Sequence, residues 1–258
     1  NMIVAAAISG NFQPGTSSIG YIEAGKVFRL QAVTAQGAVG NLTIPVWAFA
    51  GAGPSNRDPS PIGYIVVGNS ITKEIKADGL AAAYSITHIE VGGLSIAAAG
   101  ISGAIHCPKG YIGSIISNGP ISIPADNTGL DGIHAGTGIH WIYAGEHTSD
   151  EGAYPTSAYD ISATIHCTSA GYQDALLGRL RTAGNLDKKV TAGLLHGKPE
   201  YGGLDPTKMG IWVGGVVRES IHILDRVDHA YISAGDFADG ADVTIGTSLK
   251  GSVEARDS

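Results

Sequence analysis

Charge is scarce in this chain. Only 15% of its 258 residues are Asp, Glu, Lys or Arg, where roughly 25% is usual. The basic residues are scattered, and their densest cluster is Lys188-Lys189. A surface that tracks phosphates needs clustered Lys and Arg, so nucleic acid is not an expected partner. Long apolar runs are also missing. The longest, Gly93 to Ile105, is short and broken by Gly and Ser. A membrane-spanning helix takes about 20 apolar residues, so no span is expected. The chain has no G-x-S-x-G elbow and no P-loop, which leaves nucleophilic catalysis and nucleotide binding without a motif. No cofactor is expected. No signal peptide is visible, and the opening Asn1-Met2-Ile3 reads as a processed or excised chain.

Ile, Val, Leu and Ala are abundant, and so is glycine, at 38 residues. Glycine's ordinary share is roughly 7%, about half of this. β-branched residues favour strands, and Gly supplies the turns between them. The chain therefore reads as all-β. Net charge is −7.

Two short patterns recur. The first is aliphatic-x-x-aliphatic, at Ile19-Gly20-Tyr21-Ile22, Ile62-Gly63-Tyr64-Ile65, Ile86-Thr87-His88-Ile89 and Ile112-Gly113-Ser114-Ile115. It continues at Ile139-His140-Trp141-Ile142 and Leu177-Gly178-Arg179-Leu180, with looser copies at Gly210 to Val213 and His229 to Ile232. The second is aliphatic-x-small, as in Ile75-Lys76-Ala77, Ile105-His106-Cys107, Ile165-His166-Cys167 and Val190-Thr191-Ala192. Leu30-Gln31-Ala32, Ile123-Pro124-Ala125 and Val253-Glu254-Ala255 fit it as well. From Ile62 to Ile86 is 24 residues, to Ile112 a further 26, and to Ile139 a further 27. A period in this range, with several short strands per repeat, predicts a parallel β-solenoid. The expected form is a right-handed parallel β-helix, one domain over residues 1–258, of about eight to nine rungs and roughly 40 Å long. Inserted loops are expected near 47–61, 146–160 and 196–208, where Pro, Gly, Asp and Tyr replace the aliphatic alternation. An antiparallel β-sandwich or barrel is the alternative fold.

This texture resembles the Gly/Ile/Ala-rich parallel β-helix repeats of large bacterial secreted or cell-surface proteins. The likeness runs from about Ile19 to Ala255. It implies a solenoid fold and an extracellular or cell-surface setting, and no activity.

Function at this level is read from surfaces. Both ends of a solenoid expose strand edges, and neither end here shows a cap. The expected role is a non-enzymatic structural protein that assembles end to end into a homo-oligomer, filament or layer. A carbohydrate-active β-helix is the alternative, with Asp126 and Asp131 in Pro124 to Gly136 as its carboxylates. That stretch is faintly similar to the N-T-D-G element of polygalacturonase-like hydrolases, but Gly129 and Leu130 interrupt it. A receptor-binding fibre is the third reading. Trp47, Phe49, Tyr154 and Tyr159 lie in or beside the inserted loops and are the candidate contacts for a sugar or a partner. Asp236, Asp239 and Asp242 recur every third residue, which suits either a calcium loop or a solvated corner. Both cysteines follow a histidine. If Ile123-Pro124-Ala125 fills the rung between them, they lie roughly 9.6 Å apart, beyond disulfide reach. His106 and His166 would then face outward, on either side of Pro124.

Overall fold

The computed structural model describes the strand backbone of Met2–Val4, Gly10–Phe12, Ile19–Ala24, Leu30–Ala35, Val39–Ile44 and Ile62–Val67. Beyond these it describes residues 70–72, 74–77, 84–92, 100–108, 110–124, 132–146, 154–168, 175–196 and 210–256. Every regular element is a strand. No helix among the described residues is long and apolar enough to cross a membrane.

The strands stack in parallel on three faces. The first face is a ten-stranded sheet, the second an eleven-stranded sheet. A narrow third face is a ladder through Ile71, Ile101, Ile121, Ile161, Leu186 and Val217, made of single pairings except for the two-residue pair Ile121-Ser122 with Ile161-Ser162. The chain visits these faces in a fixed order. From Ile101 it passes to Ile105–Cys107 on the first face and Tyr111–Ser117 on the second, then returns to the third at Ile121. Sequence neighbours thus sit on different faces, while residues one repeat apart are paired. This is a β-solenoid-like architecture. Every pairing in the described sheets is parallel, which is not the arrangement of an antiparallel sandwich.

The two sequence patterns mark two faces through most of the stack. Aliphatic-x-x-aliphatic builds the second face. Ile86, Ile112, Ile139 and Leu177 form one inward ladder, and Ile89, Ile115, Ile142 and Leu180 another. All eight are fully buried. Same-face residues in a flat strand are two apart, not three. Here the ladder skips one residue in each strand, at Gly113, His140 and Gly178, so the strand bends there and both aliphatics turn inward. Aliphatic-x-small builds the first face, with Ile75, Ile105, Ile133, Ile165, Val190 and Ile221 in register. Fully burying one such side chain contributes about 1.5–3 kcal/mol. Stacked turns align these contributions into one continuous core.

One expected register is corrected. Ile133-His134-Ala135, not Ile123-Pro124-Ala125, lies between the two I-H-C triplets. Ile121 belongs to the third-face ladder, so Ile123 still lies near that corner, where its N–H donates to the Ser162 carbonyl. The first-face strand comes only after ten further residues. The spacing argument survives, because one strand still separates the cysteines. Both are buried and free. Burial pushes the Cys167 thiol up to about 12, so it is a filler of the small-residue slot and not a nucleophile.

The second sheet also contains an interrupted strand. Leu194–His196 and Gly210–Val217 share one place in it. The former pairs with Leu176 and Leu177, and the latter with the rest of Leu176–Thr182. The break between them falls at the bend, and residues 197–209 lie outside the described set.

Candidate functional site

The outer side of the second face carries two side-chain rows. Register places Ser114, Trp141, Arg179, Gly210, Tyr231 and Ser252 in one row. Ile116, Tyr143, Arg181, Trp212, Ser233 and Glu254 form the other. These side chains alternate with the inward ladders, so they point away from the core. Trp141, Tyr143, Arg179 and Arg181 are nevertheless buried. Ile116, Trp141 and Tyr143 form a second apolar cluster, separate from the main core.

Part of their cover is residues 154–160, the returning limb of the expected 146–160 insertion. Tyr154 lies against Trp212, ring centroids 5.0 Å apart with planes at 65°. The Arg181 guanidinium sits 4.3 Å from the Tyr154 ring centroid, a cation–π contact. Tyr154 and Tyr231 hydroxyls are 3.1 Å apart. Burial, then the Tyr154 hydroxyl, push the Tyr231 phenol above its ordinary value. Tyr231 therefore stays protonated at neutral pH and is able to donate.

Glu146 pins this limb. Its carboxylate accepts from the Thr156 N–H at 3.0 Å, from the Thr156 hydroxyl at 2.5 Å, and from the Ser157 hydroxyl. Partial burial raises the Glu146 pKa, but these donations outweigh it and leave the carboxyl at about 2, against an ordinary 4.5. A depressed carboxyl stabilises the fold above its unfolded value and loses that contribution as pH falls towards its folded value. The limb is therefore expected to loosen as pH drops from 4.5 towards 2. An acid titration followed by tryptophan fluorescence reads the change at Trp212, beneath Tyr154. Glu146→Gln removes the charge and is expected to abolish the transition. Superimposable curves for the two proteins would refute the pin.

Beside Tyr154 the surface opens into a groove of about 650 Å³. Trp212, Tyr231, Ser233 and Ser252 line it, with Lys250, Glu254 and Arg256 around them. Arg256 lies 4.8 Å from the Trp212 ring centroid and donates through Nη2 to the Val213 carbonyl at 2.6 Å. At one edge His229 occupies a bulge with φ of +53°, a conformation that non-glycine residues seldom adopt. Its Nδ1 lies 2.8 Å from Asp228 Oδ1. Partial burial raises the Asp228 pKa, but Lys250, His196 and His229 outweigh this and hold it below the ordinary carboxylate value.

The contact residues expected from the sequence fall in different places. Tyr154 lines the groove and is 43% exposed. Tyr159 packs against the main core, and its carbonyl accepts from the Thr182 hydroxyl. Trp47, Phe49, Asp126 and Asp131 lie outside the described residues. Asp236 accepts from the Phe237 N–H, and Asp242 from the Thr244 hydroxyl. Among the described residues no three or more His, Cys, Asp or Glu side chains form a metal-holding group, these aspartates included. Sequence reasoning missed Trp212, Tyr231 and Arg256. The available signal was the outward position of successive repeats, which carries Trp141, Arg179 and Tyr231 in one row and Tyr143, Arg181 and Trp212 in the other.

The first face carries a different outward row. His106, His134 and His166 stand side by side, where Pro124 was expected between two histidines. Ring centroids are 5.2 Å apart in both steps. His106 was expected to face solvent but is only 5% exposed.

The fold defines the class, a β-solenoid-like protein with an aromatic groove on one sheet. No protein-family model, curated protein or solved structure matches the chain.

Proposed function

We propose that the chain is a stiff extracellular solenoid that binds a carbohydrate chain in the groove of its second face. The observation that carries this reading is the Tyr154–Trp212 pair, 5.0 Å apart within a groove that polar groups surround. Sugar rings present apolar C–H faces and hydroxyl edges. Trp212 and Tyr154 offer flat apolar surfaces for the former. Tyr231, Ser233, Ser252 and Glu254 offer donors and acceptors for the latter. Much of the groove is built on a paired sheet, which favours a pre-organised site over one on loops alone.

The test is a fluorescence titration of the intact protein against a panel of neutral and acidic oligosaccharides. At least one saccharide is expected to bind, and Trp212→Ala is expected to weaken it by about tenfold or more with the circular dichroism spectrum unchanged. Binding that ignores Trp212→Ala, or no binding across the panel, would sink the reading.

The ten strands of the first sheet support a coil of ten turns, more than the eight or nine expected from the sequence. Right-handed winding is the form that parallel crossovers favour.

A second reading, end-to-end association of copies, is favoured by one observation. The two inward ladders of the second face reach Leu249 and Val253, which are 47% and 39% exposed. Sedimentation velocity at rising concentration is expected to show growing species. A single monomeric species throughout would refute this reading.

A further inference from the structure

We propose that His106 and His134, backed by the Glu74 carboxylate, form a site for one divalent transition-metal ion of the Zn²⁺, Cu²⁺ and Ni²⁺ class. The site lies on the first face, away from the groove, and does not depend on carbohydrate binding.

Three observations carry it. The first is the state of His106. Its Nδ1 lies 2.9 Å from Glu74 Oε1. A carboxylate accepts and does not donate, so Nδ1 holds a proton, and in the neutral ring the lone pair lies on Nε2. Metal-binding histidines almost always donate their other N–H in this way, which fixes the tautomer and raises the basicity of the ligand nitrogen. The second is that the remaining nitrogen is unused. His106 Nε2 is buried and has no hydrogen-bond partner, although the whole residue is only 5% exposed. Burying a polar atom without a partner is costly, and a bound cation would remove that cost.

The third observation is spacing. Parallel pairing holds His106 and His134 in register on adjacent strands. Their ring centroids are 5.2 Å apart with planes at 72°. Two imidazoles on a tetrahedral ion, with nitrogen–metal distances of about 2.0–2.1 Å, place their centroids about 5 Å apart. The backbone ladder therefore already supplies the separation that two such ligands need.

His166 is the same distance from His134 but is set at a different angle. Its planes are tilted by only 31°, and its Nε2 bonds the Thr168 hydroxyl. Among the described residues no third His, Cys, Asp or Glu completes a cluster. The remaining coordination positions therefore fall to water. Imidazole and water suit Zn²⁺, Cu²⁺ and Ni²⁺, whereas Ca²⁺ and Mg²⁺ want several oxygens.

The test is calorimetric titration of chelator-stripped protein with zinc chloride alone and with copper sulfate alone. Electron paramagnetic resonance of the copper sample counts the nitrogen ligands. One ion per chain is expected, with coupling to two imidazole nitrogens. His106→Gln and His134→Asn are each expected to weaken binding by about tenfold or more, and Glu74→Gln by about 10–100-fold. His166→Gln is expected to leave the affinity unchanged. His106 is buried, so where His106→Gln fails to fold, the half-buried His134→Asn decides. The proposal is overturned if neither ion binds, if His134→Asn binds as tightly as the parent, or if only His166→Gln loses the ion.

Discussion

Ile142→Ala is expected to lower the unfolding free energy by about 2–5 kcal/mol. Ile142 is fully buried in the inward ladder of the second face, between Ile115 and Leu180. The cost has two parts, lost transfer of the removed methyl and methylene groups and the cavity left behind. The second part is large here for a reason specific to this fold. Strands above and below are fixed by in-register hydrogen bonds, so Ile115 and Leu180 cannot slide into the vacated space. A globular core with independent helices relaxes more readily. Urea denaturation of parent and variant measures the difference. A loss below about 1 kcal/mol would mean that the side chain does not fill a tight interior.

Gly210→Ala is expected to cost about as much or more, through the backbone instead of the core. Gly210 has φ of +121°, which L side chains rarely adopt. A Cβ built there would sit 2.0 Å from the Tyr231 carbonyl oxygen, on the paired strand. That oxygen is main chain and cannot swing aside as a flexible side chain would. Conformational strain at such a position contributes about 1–3 kcal/mol by itself, and the clash adds to it. Because the displaced residue is Tyr231, the same substitution is expected to disturb the groove. Denaturation and the saccharide titration together read both effects. A variant with parental stability would show that the strand after residues 197–209 does not enter the sheet at Gly210.

The inward ladders were legible in the sequence because they are repetitive and need one residue type. An aliphatic at Ile86, Ile112, Ile139 and Leu177 answers to the same slot each time, so a register error would expose every one of them. The bend between the paired aliphatics was not read from the sequence, although a spacing of three cannot hold two inward residues on a flat strand. The triplet Ile133-His134-Ala135 was obscured by its neighbour. Ile123-Pro124-Ala125 fits the same aliphatic-x-small pattern at a plausible distance, and Ile123 is itself buried near the third-face corner. Composition alone does not distinguish a strand centre from a corner.

The groove was harder to read because its parts come from different repeats. Tyr154 arrives from the stretch expected to be an insertion, Trp212 from the strand after an interruption, and Arg256 from just beyond the last described strand, Ser248–Ala255. Each looks like a solitary surface residue until the ladder aligns it. His106 was misjudged for a related reason. Strand alternation places it outward correctly, but outward is not the same as exposed when Glu74 and His134 stand beside it.

The fold and both sites depend on the register that stacks residues one repeat apart. That register is tested most directly at the cysteines. Ala135 lies in register between Cys107 and Cys167, one strand spacing from each. Paired strands are about 4.8 Å apart, within the Cα separation that a disulfide accepts. Ala135→Cys, refolded from denaturant in a glutathione redox buffer, is predicted to form a disulfide with Cys107 or Cys167, identified by mass spectrometry of unreduced peptides. The parent protein, with Ala135 between its thiols, is predicted to form none within the chain. A Cys107–Cys167 bond in the folded parent, or a bond to Ala125→Cys in place of Ala135→Cys, would contradict the register and the arrangement of both sites built on it.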